Sequence, residues 1–182
     1  IRVSIDASGG DFGFSVTINA GISALKTYDD LLINFVGDEA GIKNELNKNS
    51  SYSNFADRID VTHASEVINM SDSPSVALRH KKDSSMRVAI NLVKNGEADA
   101  CVSAGNTGAL MSIARFVLKT IKGVDRPAIM SAVPTLTGPT HVLDLGANID
   151  SRPSTLLQFA IMGSIAVQNT ENIENPSVGL LN

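Results

Sequence analysis

Apolar positions along this chain follow two alternating rhythms. Short apolar runs bounded by Gly, Asp or Ser read as strands, and the stretches between them repeat apolar residues every three or four positions, as helices do. Arg2 to Asp6 is the first strand, and it runs into a loop with Gly9, Gly10 and Gly13. Ser15 is placed to cap a helix that reaches about Tyr28. Leu31 to Val36 is the second strand, closed by Gly37-Asp38, and a polar helix follows to about Lys48. Lys48 to Asn54, rich in Asn and Ser, reads as a mobile surface loop. Arg58 to His63 is the third strand. Ser73-Pro74 opens a helix with cap and N1 proline in order, and a second helix begins at Ser84 with Met86, Ala89, Ile90 and Val93 on one face. Ala98 to Val102 is a fourth strand, expected to be buried. Beyond a loop of small residues, apolar positions recur at Leu110, Ile113, Ala114, Val117, Leu118 and Ile121. Ile129 to Val133 and His141 to Leu145 form a hairpin through Gly138-Pro139. Pro153 starts a helix to about Gln168, and Val178 to Leu181 begins one more buried strand.

This alternation describes a layered α/β fold without internal repeats or linkers. The run Val178 to Leu181 stands where a strand would lead into a ligand-bearing loop, so residues 1–182 read as the N-terminal part of a single α/β catalytic unit, cut at its C-terminal side. Composition narrows the picture only a little. A chain of 182 residues, 43% hydrophobic and 19% charged, has enough apolar material for a real core. Its formal charge of -4 gives no case for a nucleic-acid partner. The single cysteine, Cys101, falls in an expected strand, where a small buried thiol is the plainer reading than a nucleophile, and a reduced, cytoplasmic setting fits it. No apolar run has the length of a membrane span, and the first residues read as a strand, not as a signal peptide.

Candidate chemistry gathers in four loops. The clearest is Ser103-Ala104-Gly105-Asn106-Thr107-Gly108, between a strand and an amphipathic helix. Such a turn brings backbone N–H groups and the positive end of a helix dipole to one point, which suits phosphate. It reads equally as an ordinary turn in which Gly105 relaxes the backbone and Thr107 caps the helix. After the first strand, Asp6, Gly9 and Gly10 form either a substrate-facing nest or a structural turn. The basic stretch Arg79-His80-Lys81-Lys82 precedes a helix start and offers Lys81 and Lys82 to a phosphate or an acidic carrier; a solvated surface cluster is the simpler alternative. Asp144 and Asn148, in Asp144-Leu145-Gly146-Ala147-Asn148, make a second strand–turn–helix edge. The dinucleotide fingerprint, the Walker lysine motif, the serine nucleophile elbow and any zinc spacing of His63, His80 and His141 are all missing.

At these residues the chain resembles the PlsX family, the phosphate acyltransferases of bacterial phospholipid synthesis. The resemblance runs through DASGGDFG, GDE at Gly37 to Glu39, HASEVI, DSPSVALRHKKDSSMRVAINLVK, DACVSAGNTGALMSIARFVLK, DRPAI and LDLGAN. Two positions depart from the pattern, Ser8 where the family commonly has Met and Phe14 where it has Pro, and both lie in the first loop. The resemblance implies a three-layer α/β/α sandwich around a mixed, mostly parallel sheet, similar to the phosphate acetyltransferase and isocitrate-dehydrogenase-like group. It implies transfer of a fatty acyl group from acyl carrier protein to inorganic phosphate. It also implies a homodimer, cytoplasmic and loosely attached to the membrane face, with no cofactor.

Phosphate is already a nucleophile at neutral pH, so that reaction needs no Ser or Cys. The enzyme must hold a dianion about 3 Å from the thioester carbon and stabilise the oxyanion that forms. N–H groups from Gly105 to Gly108, with Asn106 and Thr107, are suitable donors, and Lys82 or Lys81 is a nearby countercharge. On this basis Asn106, Thr107 and Lys82 are the expected catalytic residues. Asp6, Gly9, Gly10, Lys81, Ser103, Gly105, Gly108, Asp144 and Asn148 are the expected binding residues, with no metal. Two other readings remain open: a short-chain transferase using acetyl-coenzyme A, and a non-catalytic phosphate- or nucleotide-binding module.

Overall fold

A computed structural model of the chain describes residues 1–136, 138–145 and 152–181. They divide into two compact units, residues 1–119 and 120–182.

In the first unit four parallel strands make one sheet, β1 (Arg2–Asp6), β2 (Leu32–Gly37), β3 (Ile59–His63) and β4 (Ala100–Ser103), in the order β3-β2-β1-β4. Register is continuous from Arg2 opposite Leu32 to Asp6 opposite Val36, and from Val3 opposite Ala100 to Asp6 opposite Ser103. Alternation along the strands sends side chains to two faces. Ile33 and Phe35 meet Ile18, Ile22 and Leu25 of α1 (Phe14–Thr27) and Ile42 and Leu46 of α2 (Glu39–Lys48). On the other face Val36 meets Ala89 and Leu92 of α4 (Ser85–Lys94), and the Ser4 hydroxyl donates to the Ala89 carbonyl at 2.9 Å. α3 (Pro74–His80) and α5 (Thr107–Leu118) pack beside α4 through Ala77, Met86, Ile90, Ala109 and Ile113. The result is the expected layering of helices, sheet and helices.

Several local expectations shift. α1 starts two residues early, capped by Gly13 in place of Ser15 and without a side-chain bond, while Ser15 donates to the Phe12 carbonyl. The stretch Lys48 to Asn54, expected to be a loose loop, contains a 3-10 turn at Tyr52–Asn54, and a second turn, Ala56–Arg58, takes in the Arg58 expected to begin the third strand. They are held because the Arg58 guanidinium donates to the carbonyls of Leu25, Tyr28 and Asp29 at the end of α1. β4 is not buried: it is an edge strand, and Val102 is 54% exposed. α5 ends at Leu118, so Ile121 lies outside it and is exposed.

The second unit contains the expected antiparallel hairpin, β5 (Met130–Thr135) and β6 (Gly138–Leu143), and α6 (Pro153–Glu171), whose Gly163 approaches Leu143. Among the described residues antiparallel pairing is confined to this hairpin, and the sheet of the first unit is parallel throughout. Val178 to Leu181 is not a strand. No described strand pairs with it, and Val178, Leu180 and Leu181 are exposed in irregular backbone.

Candidate functional site

Parallel strands release their loops at one edge of the sheet, and here three segments converge on the carboxylate of Asp6. Asp6 ends β1 and is 2% exposed. One oxygen accepts the Ser85 hydroxyl at 2.5 Å, from the first turn of α4. The other accepts the Ser103 hydroxyl at 2.7 Å, from the end of β4. Burial pushes the Asp6 carboxyl above its ordinary value of 3.8, and the hydrogen bonds from Ser85, Ser103 and the backbone of Gly9 and Ser8 oppose that rise. The Ser103 oxygen also accepts the Gly105 N–H at 3.0 Å. A relay therefore runs from Asp6 through Ser103 into the loop before α5.

Glycines let the loops close on one another. A Cβ on Gly9 would stand 2.6 Å from an Asp6 carboxylate oxygen and 3.0 Å from the Gly105 nitrogen. Gly10 has φ +83 and lies against Ala104, a backbone shape that side-chain-bearing residues rarely adopt. A Cβ on Gly108 would meet the Pro74 ring at 3.0 Å, so this glycine brings the starts of α3 and α5 together.

Asn106 is the N-cap of α5. Its Oδ1 accepts the Ala109 N–H at 3.0 Å. Its Nδ2 donates to the carbonyls of Asp72 at 2.9 Å, Met70 at 3.0 Å and Asn69 at 3.4 Å. The amide thus ties the β3–α3 loop to the helix start, and its donors are turned to carbonyls of the protein. Thr107 and Gly108, the first two residues of α5, have N–H groups without a hydrogen bond among the described residues. They and the dipole of a helix of 12 residues make that end positive.

The lysines part company. Lys81 is engaged: its Nζ pairs with Asp72 at 2.5 Å and donates to the Val67 carbonyl at 2.7 Å, and this partner holds the Asp72 carboxyl below its usual range. Lys82 is exposed and has no partner among the described residues. Cys101 is no nucleophile, since burial pushes its thiol up to about 11.

The structure therefore brings Asp6, Gly9, Gly10, Ser103, Gly105, Asn106, Thr107 and Gly108 to one sheet edge, with Lys81 tied into the neighbouring loop. Asp144 belongs to the second unit, where its φ is +67 and its N–H donates to the Ile129 carbonyl. Asn148 lies outside the described residues. Two participants were missed from sequence. Ser85 stands beside the capping serine, Ser84, and the doubled serine was its only signal. Asp72 gave none, because its pairing with Lys81 depends on how the loop folds back.

Comparison with known proteins meets this geometry. The sequence model of a family described as "Fatty acid synthesis protein" matches residues 1–182. The chain belongs to this family. It is 65% identical over 182 residues to a phosphate acyltransferase of Ruthia magnifica subsp. Calyptogena magnifica, covering 100% of this chain and 53% of that protein. It is 57% identical over 180 residues to a phosphate acyltransferase of Methylococcus capsulatus, covering 99% and 52%, and 54% identical over 182 residues to one of Legionella pneumophila (strain Paris), covering 100% and 53%. The chain thus spans about half the length of the curated relatives it matches.

Proposed function

We propose that the polypeptide carrying this sequence transfers a fatty acyl group from acyl carrier protein to inorganic phosphate, giving acyl phosphate for phospholipid synthesis. Family membership over the whole chain, with relatives named phosphate acyltransferase at 54–65% identity, supports the reaction class. The observation that carries it to these residues is the pair of unbonded N–H groups at Thr107 and Gly108, at the positive end of α5 and beside a loop braced by Asp6 and Asn106.

In this reading phosphate or the developing oxyanion sits against those N–H groups. A phosphate oxygen attacks the thioester carbonyl carbon. The carbon–sulfur bond then breaks, and the carrier leaves as a thiolate that needs little acid help. Thr107 supplies a hydroxyl, and Lys82, free among the described residues, offsets the gathering negative charge. Asn106 acts as a positioning residue, since its amide is committed to the 69–72 carbonyls. Asp144 and Asn148 remain candidates for a second ligand edge. We further propose a homodimer at the cytoplasmic side of the membrane, attached peripherally; no helix among the described residues is long and apolar enough to cross a membrane. Residues 1–182 would supply the N-terminal part of the catalytic unit.

The test is steady-state turnover by the complete natural polypeptide, with phosphate and either palmitoyl carrier protein or acetyl-coenzyme A. Phosphate-dependent formation of palmitoyl phosphate from the carrier thioester is expected. Turnover of acetyl-coenzyme A alone would move the reading to a short-chain transferase, and no turnover of either would leave a binding module.

A further inference from the structure

Charge is unevenly spread in this chain. Residues 74–119, which hold α3, α4, β4 and α5, contain seven Lys and Arg against three Asp and Glu, in a chain whose formal charge is -4. Two of these cations meet on one exposed ring. Phe116 of α5 is 53% exposed, with the Arg87 guanidinium of α4 5.4 Å from its centroid and the Lys119 ammonium 4.9 Å away. Neither cation has a carboxylate partner among the described residues. Arg79 and Lys82, also exposed and unpaired among the described residues, stand immediately ahead of α4. The acidic groups beside them are engaged: Asp72 with Lys81, and Asp83 with the N–H and hydroxyl of Ser65.

The ring face attracts both cations, yet about half of the ring stays open to solvent and neither cation has an acidic partner among the described residues. An acidic protein surface would cover the ring and neutralise the charges. Phe116 and Lys119 lie at the C-terminal end of α5, the helix whose first residues, Thr107 and Gly108, belong to the candidate site. The connection from α3 to α4 is tied through Lys81 to the 67–72 loop, which Asn106 holds against the start of α5. We propose that the face formed by Arg87, Phe116 and Lys119 docks an acidic protein that presents the thioester, namely the acyl carrier of the proposed reaction, and the inference rests on that reading. An anionic lipid surface is the competing occupant. It is less favoured because a thioester carried on a protein must be delivered to this loop, whereas a flat bilayer need not approach it.

The experiment uses the complete natural polypeptide and its Arg87→Glu/Lys119→Glu double variant, each checked for an unchanged circular-dichroism spectrum. Arg87→Gln/Lys119→Gln is held ready should charge reversal unfold the helices. Binding of fluorescently labelled acyl carrier is measured by anisotropy, and kinetics with palmitoyl carrier protein are measured across salt. Reversal should raise the carrier Kd and KM by about tenfold at low salt, with kcat within twofold, and the gap from wild type should close as salt rises. Wild-type Kd and KM in a folded variant overturn the docking surface. So does loss of binding to phosphatidylglycerol vesicles with carrier binding intact, which assigns the face to lipid. If the unmodified polypeptide forms no acyl phosphate from the carrier thioester, the proposed reaction itself fails, and the anisotropy arm still decides whether an acidic carrier binds here.

Discussion

Asp6 is a carboxylate with almost no water and four hydrogen-bond donors around it, and its protonation is tied to the stability of the fold. Its folded pKa is raised, so between 3.8 and that raised value the folded chain binds more protons than the unfolded chain. Stability contributed through Asp6 therefore falls as pH rises through this window. In urea unfolding at a series of pH values, the wild type should gain stability relative to Asp6→Asn as pH is lowered from neutrality toward 3.8; a difference that stays flat removes the burial argument. Ser103 gives a second prediction. Ser103→Ala cuts the relay from Asp6 to the Gly105 N–H and should lower kcat of the complete polypeptide at least tenfold, while Ser103→Thr, which keeps the hydroxyl, should recover most of it. Equal activity in all three would make Ser103 a bystander. At this scale the sequence named Asp6, Ser103 and Asn106 from the small-residue loops that bear them, because strand ends followed by glycine announce ligand edges. It could not assign their partners. The direction of the Asn106 amide depends on a loop more than thirty residues earlier.

Among elements, the loop from β3 to α3 is mostly irregular backbone, and it is held to its neighbours by several side-chain bonds. Lys81–Asp72 is one of them, and the Asn106 amide is another. Lys81→Met should therefore speed hydrogen exchange at Asn69 and Asp72 without changing that of β1 and β2, and unchanged exchange at Asn69 would contradict the clamp. Acid should do the same in wild type. The Asp72 carboxyl titrates below 3.8, so the clamp is present above that value and weakens as pH falls through its lowered pKa. Element positions were readable because α1, α4 and α5 keep clean apolar faces and Ser73 and Ser84 cap as their residue types prefer; the cap of α5 falls on Asn106, one residue before the Thr107 that the sequence offered. β4 was misread as buried because an apolar run is the same string of letters at the edge of a sheet as in its middle. The 3-10 turns after Lys48 were hidden because their order comes from Arg58, a distant side chain, and not from local propensity.

For the molecule as a whole, buried apolar side chains concentrate in residues 1–119, while Val178 to Leu181 are exposed. Limited proteolysis of the chain should clip within 172–181 before any cut in β1 or β2, and early cleavage within residues 1–47 would contradict that order. The run VGLL misled the sequence reading because a strand needs a neighbour to complete its hydrogen bonds, and its own letters do not say whether one is there. The central claim is that the β4–α5 loop, braced by Asn106, positions the groups that hold phosphate and the oxyanion. Its most direct test is Asn106→Ala in the complete polypeptide, assayed for kcat and phosphate KM beside thermal stability. Loss of the cap should cost about 1 kcal/mol of stability. Loss of the clamp misplaces the loop's N–H groups and should lower kcat on the order of 10²-fold, more than it raises KM. Asn106→Asp, which retains a capping oxygen but turns an acceptor toward the carbonyls of Met70 and Asp72, should restore neither the clamp nor kcat. Wild-type kcat and KM in a folded Asn106→Ala protein would contradict the account and return this loop to the role of a structural turn.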